Sequence, residues 1–310
     1  MAASCIGPGG MSVYAPNPGT RTVEPLAPPI TLYLGDKTND SVESAGDGGQ
    51  IEFEWHRSYR TIALIARNRY VAPVVARWTV PMHENLDSER PMEGIALLPA
   101  APTPLGVGSN VLLSQLRWVD MKLAYRVQMK VDFSFGDPSA KPASYVYGLP
   151  YPAGLSFHVG QGFHGAFTHK GTNEFAVDFE CPEGTPVLAM RPGVVLATNA
   201  AALYGLADAY YEDWKKGNFV LVLHDDGTIA HYLHLAPGGV AVKAGQRVAR
   251  GERLGSSGST GYASGPHLHV DISTSAPDGN LRTFPFRFAV APGRDEEPIE
   301  GTRYSAWESP

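Results

Sequence analysis

Residues 265–272 read Gly-Pro-His-Leu-His-Val-Asp-Ile, an alternation of apolar and polar side chains that predicts a β-strand. On a strand, residues i and i+2 share a face, so His267 and His269 project into one site while Leu268 turns toward a core. Two neighbouring imidazoles with a carboxylate make a good zinc environment. The borderline-soft ion takes nitrogen and oxygen ligands, and three protein ligands leave a fourth position for water. Outward from this strand, similar runs at 185–190, 193–197, 218–224 and 229–235 alternate with glycine turns, so a β domain is expected over residues 151–290. The exception is 201–216, where Leu203, Leu206, Tyr210 and Trp214 recur at spacings of three and four and predict a short amphipathic helix beside a groove.

The rest of the chain divides around that domain. Residues 1–29 hold six prolines among glycines and small polar residues and read as a flexible leader. Residues 30–136 carry short apolar runs and one clear alternation, Val127, Met129, Val131, Phe133 and Phe135, which predicts a small β-sandwich-like domain. His56 and His83 are isolated there and receive no chemical role. Residues 137–150 read as a connector in which Tyr145 and Tyr147 can pack onto a neighbour, and 291–310 as an exposed, weakly ordered tail.

The composition agrees with a mainly β chain. Of 310 residues, 43% are hydrophobic and 18% charged, which excludes a disordered, collagenous or coiled-coil protein and gives no sign of a membrane span. Gly 34 and Pro 26 favour short strands and tight turns. A net charge of −6 supplies no general attraction to nucleic acid. Cys5 and Cys181 are far apart, so neither a disulfide framework nor a cysteine zinc site is expected. The first ten residues have neither a basic stretch nor an apolar run of the kind a secretory leader needs, so the export route is not legible.

Eight of the ten histidines fall in 151–290, and the text around them is specific. Phe175-Ala-Val-Asp-Phe-Glu-Cys-Pro-Glu-Gly-Thr-Pro-Val-Leu-Ala189, Arg191-Pro-Gly-Val-Val195, Tyr232-Leu-His-Leu235, Val242-Lys-Ala-Gly-Gln-Arg-Val248, Leu254-Gly-Ser-Ser-Gly-Ser-Thr-Gly261 and Gly265-Pro-His-Leu-His269 follow in order. Over about residues 155–275 the chain strongly resembles the lysostaphin/LytM-type zinc metallopeptidases that cut peptide cross-links of bacterial cell walls. The resemblance implies an open antiparallel β catalytic domain with a groove, the duplicated hybrid motif.

It also implies site residues. A histidine four residues before an aspartate, that aspartate and the second histidine of H-x-H bind zinc in the family, and the last two carry over as Asp178 and His269. The family's two non-ligand histidines carry over as His234 and His267. The first ligand departs from the pattern, because Glu174 stands four residues before Asp178. His169, nine residues before Asp178, is the favoured third ligand, with Glu174 next, since zinc accepts carboxylate oxygen, and His164 third. His231 is placed by alternation on the face opposite His234 and read as structural, as is His224, while Tyr232 shares the His234 face and helps shape the pocket.

The glycine-rich 256–261 lacks the lysine and following helix of a phosphate loop, and neither G-x-S-x-G nor H-E-x-x-H occurs. The function expected from the resemblance is a zinc-dependent endopeptidase acting on peptidoglycan peptides in the cell envelope or outside the cell. Its alternative is a non-catalytic member of the same fold that binds walls or activates another hydrolase.

Overall fold

The computed structural model describes residues 30–34, 42–46, 51–102, 108–207 and 214–307. The leader expected over 1–29 lies outside the described residues. The chain divides into two compact units, with the division between Ser134 and Phe135.

The first unit is built from β1 (Ile30–Leu34), β2 (Val42–Gly46), β3 (Ile51–Ser58), β4 (Thr61–Asn68), β5 (Val74–Glu84), β6 (Leu86–Ser88), β7 (Glu93–Leu98), β8 (Val111–Trp118) and β9 (Arg126–Phe135). These make one sheet in the order β1-β9-β5-β7 and another in the order β2-β3-β4-β8-β6. Strands β3, β4 and β9 bury every second residue, the pattern of sheets with one packed and one wetter face. His56 pairs with Glu54 on its own strand and His83 with the Leu86 carbonyl, so neither belongs to a chemical cluster.

The second unit continues with β10 (Val146–Tyr147), β11 (Ser156–Gln161), β12 (Val177–Phe179), β13 (Pro186–Leu188), β14 (Gly193–Asn199), β15 (Asn218–Leu223), β16 (Ile229–Val240), β17 (Arg247–Val248), β18 (Arg253–Ser257), β19 (Leu268–Ser275), β20 (Leu281–Thr283), β21 (Arg287–Ala291), β22 (Arg294–Glu296) and β23 (Arg303–Ser305). Its main sheet runs β17-β14-β15-β16-β19-β12-β11-β23, with β13, β18 and β20 attached beside it. The central strands β15, β16 and β19 are buried nearly throughout. One face carries the core, with Val220, Val222, Tyr232, Leu235, Leu268, Val270 and Ile272 packed together. Each such side chain contributes about 1.5–3 kcal/mol by leaving water. The other face of β19 carries His269, Asp271 and Ser273, which are buried and polar.

Three expectations about chain organisation change. The connector 137–150 is part of the second unit: Tyr147 is buried, β10 pairs with β21, and Arg191 lies over the Tyr145 ring while bonding Asp225 and Asp226. The stretch after 290 is no loose tail, because β23 pairs with β11 and Tyr151 Oη donates to the Tyr304 carbonyl at 2.9 Å. The helix expected over 201–216 is absent from 201–207. There Gly205 bridges Gly261, and Leu203, Tyr204 and Leu206 are exposed. Asn218 holds this segment extended by bonding both the N–H and the carbonyl of Ala202. Residues 208–213 lie outside the described ones, and Trp214–Lys216 is a single 3-10 turn. Cys181 is free, and burial pushes its thiol up to about 12. No helix among the described residues is long and apolar enough to cross a membrane.

Candidate functional site

Strands β12, β19 and β16 lie side by side and present the site from neighbouring positions. Asp178 on β12 is the cross-strand partner of His269 on β19, and Leu233 on β16 is the next partner of His269. His269 Nδ1 lies 2.9 Å from Asp178 Oδ1. His169 arrives from the loop between β11 and β12, whose neck is closed by the His164 N–H donating to the Glu174 carbonyl at 2.7 Å. Its ring is fully buried, with Nε2 at 3.2 Å from Asp178 Oδ2. Ligand atoms of His169, Asp178 and His269 all fall within 4.8 Å of one another.

The tautomers follow from the partners. A backbone carbonyl can only accept, so a ring nitrogen bonded to one carries the hydrogen. His169 Nδ1 donates to Gly162, His234 Nδ1 to Thr260 and His267 Nδ1 to Gly265, at 2.8, 2.8 and 2.9 Å. In the neutral form of each ring the lone pair is therefore on Nε2. Nε2 of His169 is buried and has no partner besides Asp178 Oδ2, so a cation beside that carboxylate would satisfy it. His269 contrasts with them: its Nε2 faces Asp271 Oδ2 at 3.4 Å and its Nδ1 faces the cluster. A carboxylate behind a ligating imidazole is the usual outer partner of a metal histidine.

His234 reaches the site through its backbone. Its φ of 61° is left-handed, uncommon for a residue with a side chain and frequent at functional sites. Thr260 secures the position by donating to the Leu235 carbonyl while accepting from the Asn218 N–H. The His234 and His267 ring centroids stand 4.5 Å apart, and those of His234 and His269 5.9 Å. Burial, then the charges possible at His267 and His269, push His234 down to about 3, so it is a neutral ring. Burial alone would also lower His269, but the hydrogen bonds to Asp178 and Asp271 outweigh it and raise it to about 10. Burial would raise Asp178, and its bonds with His169 and His269 instead hold it well below the usual carboxylate range.

The residues proposed from sequence thus divide. His169, Asp178, His269, His234 and His267 converge. Glu174 and His164 do not join them: they lie 3.9 Å apart from each other, with the His164 side chain exposed. Tyr232 faces the core rather than the pocket, its hydroxyl accepting from the Met190 N–H at 2.8 Å. His224 is buried against Tyr147 and bonded to Thr228. His231 does not lie away from the site. The left-handed turn at His234 breaks the alternation, so His231 and His234 both stand on the His269 side, and His231 Nδ1 lies 3.3 Å from Asp271 Oδ2. Asp271 is the residue that reading by motif passed over, and His231 is the one that alternation put on the wrong face. The available signal was that Asp271 follows His269 by two and so shares its face.

Residues 172–280 match the family described as Peptidase family M23. The peptidoglycan DD-endopeptidase ShyA of Vibrio cholerae is 34% identical over 126 residues, which cover 39% of this chain and 26% of that protein. The glycyl-glycine endopeptidase ALE-1 of Staphylococcus capitis is 32% identical over 150 residues, covering 48% and 34%. The structure of the lysostaphin catalytic domain from Staphylococcus simulans is 28% identical, with a TM-score of 0.27, over 46% of this chain and 88% of that one. The chain therefore spans a quarter to a third of the length of these two curated relatives.

Proposed function

We propose, starting from the match of residues 172–280 to peptidase family M23, that the chain is a zinc-dependent endopeptidase that hydrolyses peptide bonds of peptidoglycan. The observation that carries this reading is the meeting of His169, Asp178 and His269 around one point, with the buried Nε2 of His169 lacking any other partner. The donor set fits zinc, two imidazole nitrogens and a carboxylate with a position left over. Bound there, zinc supplies Lewis acidity toward a scissile carbonyl and lowers the pKa of water.

The remaining work falls to His267 and His234. His267 is partly exposed and keeps a free Nε2, so it accepts the proton of the attacking water and returns it to the leaving amine. His234, held neutral with Nδ1–H on Thr260, offers an acceptor Nε2 that orients the water. The substrate comes from the names of the relatives, and it implies action in the cell envelope or outside the cell on peptidoglycan peptides, with no role for nucleic acid. The test is release of soluble peptide from purified cell walls by zinc-loaded protein, with and without a chelator. Chelator-sensitive release is expected. A folded protein that takes up no zinc and releases nothing from several wall chemistries would replace this reading by a non-catalytic, wall-binding role.

A further inference from the structure

The histidine that meets Asp178 stands nine residues ahead of it, in a loop with no regular structure of its own except one 3-10 turn, Gly171–Asn173. Something must hold that loop against β12. The side chain that does so is Gln161, the last residue of β11 and the cross-strand partner of Asp178.

Its position depends on a bulge. Val159 is opposite Phe179 and Gln161 is opposite Asp178, so two steps on β11 match one step on β12. Without the extra residue, Gln161 would share the face of Val159, which packs in the core. The bulge turns it to the face of Asp178 instead, the known use of such irregularities. There the amide has all four of its hydrogen-bonding capacities filled. Its oxygen accepts from the N–H groups of Phe167 and Thr168 at 3.0 and 2.8 Å, and its nitrogen donates to Thr168 Oγ1 at 2.8 Å and to Asp178 Oδ2 at 3.0 Å. Two backbone donors at one end fix which atom is the oxygen. The same amide thus grips the residues just before His169 and the carboxylate oxygen that His169 Nε2 approaches.

We infer that Gln161 is a positioning residue for the metal centre, the group that allows a histidine nine residues from Asp178 to act as its partner ligand. This rests on the zinc-site reading above. Gln161 itself touches no reacting atom; it acts through Thr168 and Asp178. Gly165 offers a second handle, because a Cβ there would stand 2.3 Å from Gln161 Cγ and force the amide to move without deleting it.

The experiment measures zinc affinity by competition with a chromophoric chelator and the visible absorption of the cobalt-substituted protein, which reports the ligand set. It compares the full chain with Gln161→Met, Gly165→Ala and His169→Ala, after circular dichroism has shown each to be folded. Wild type should bind one zinc and His169→Ala should lose it. Gln161→Met and Gly165→Ala should bind about 10–100-fold more weakly, the usual cost of losing an outer-shell partner, with an altered cobalt spectrum. Should Gln161→Met fail to fold, Gly165→Ala decides. Wild-type affinity and spectrum in the folded variants would overturn the role of Gln161 alone. Failure of wild type to bind zinc, or zinc retained by His169→Ala, would overturn the zinc site and this inference with it.

Discussion

Zinc uptake at this site should be coupled to the loss of one proton from His269. In the metal-free protein the ring is clamped between two carboxylates, Asp178 Oδ1 at 2.9 Å from Nδ1 and Asp271 Oδ2 at 3.4 Å from Nε2. Their hydrogen bonds overcome the effect of burial and raise it to about 10. A ligating nitrogen must be deprotonated, so zinc has to displace that proton. At pH 7 the ring lies about three pH units below its midpoint, which withholds about 4 kcal/mol, or about a thousandfold, from the apparent affinity. Affinity should therefore rise about tenfold per pH unit between pH 7 and 9 and flatten above about 10. The same clamp stabilises the metal-free fold, with the sign set by a folded pKa above the ordinary histidine value. That stabilisation is complete below about pH 6.5, worth up to about 5 kcal/mol, and is lost as pH rises through about 10. Calorimetry in buffers of different ionisation enthalpy counts the protons: about one released per zinc at pH 7.5, and fewer in Asp271→Asn at pH 8.5. An affinity independent of pH between 7 and 9, with no proton released by the wild type, would refute the clamp.

Other substitutions probe separate parts of the structure. Glu174→Ala and His164→Ala should keep stoichiometric zinc by metal analysis, because both side chains lie outside the ligand cluster. His267→Ala should retain zinc and lose about 10²–10⁴-fold in the rate of peptide release, the range for removing a general acid or base. Tyr232→Phe should lower stability by about 1–3 kcal/mol in thermal unfolding, since it strands the buried Met190 N–H without an acceptor, and an unchanged transition would contradict that account. Asp226 is pushed up by burial but held well below the carboxylate range by bonds from Thr228, the Ala143 N–H and Arg191. Its contribution is present above about pH 4 and lost as pH falls below that, so Asp226→Asn should flatten the acid limb of stability measured by chemical denaturation.

Legibility varied with the range of the signal. The β15, β16 and β19 strands could be read because apolar runs between glycine turns are a local pattern. The stretch 201–207 could not, because spacings of three and four say nothing about Asn218, which lies more than ten residues ahead and takes both backbone groups of Ala202. The residues after 290 looked polar and loose, and pairing of β23 with β11, about 150 positions away, organised them. His231 was misplaced because strict alternation was carried across a backbone that turns left-handed at His234.

The sequence by itself determined the β character of the second unit, the pairing of His267 with His269 on a strand, and the identity of Asp178 and His234 as candidates. Each depends on period two or on a collinear motif. It left three candidates for the first ligand, since a loop of nine residues can present any of them. Tertiary structure brings His169, and not Glu174 or His164, to Asp178 and His269, where a bulge in β11 aims Gln161 at Asp178 and the same amide binds Phe167 and Thr168. It also decided that Asp271 and His231 back His269, a relation between neighbouring strands that no local pattern contains.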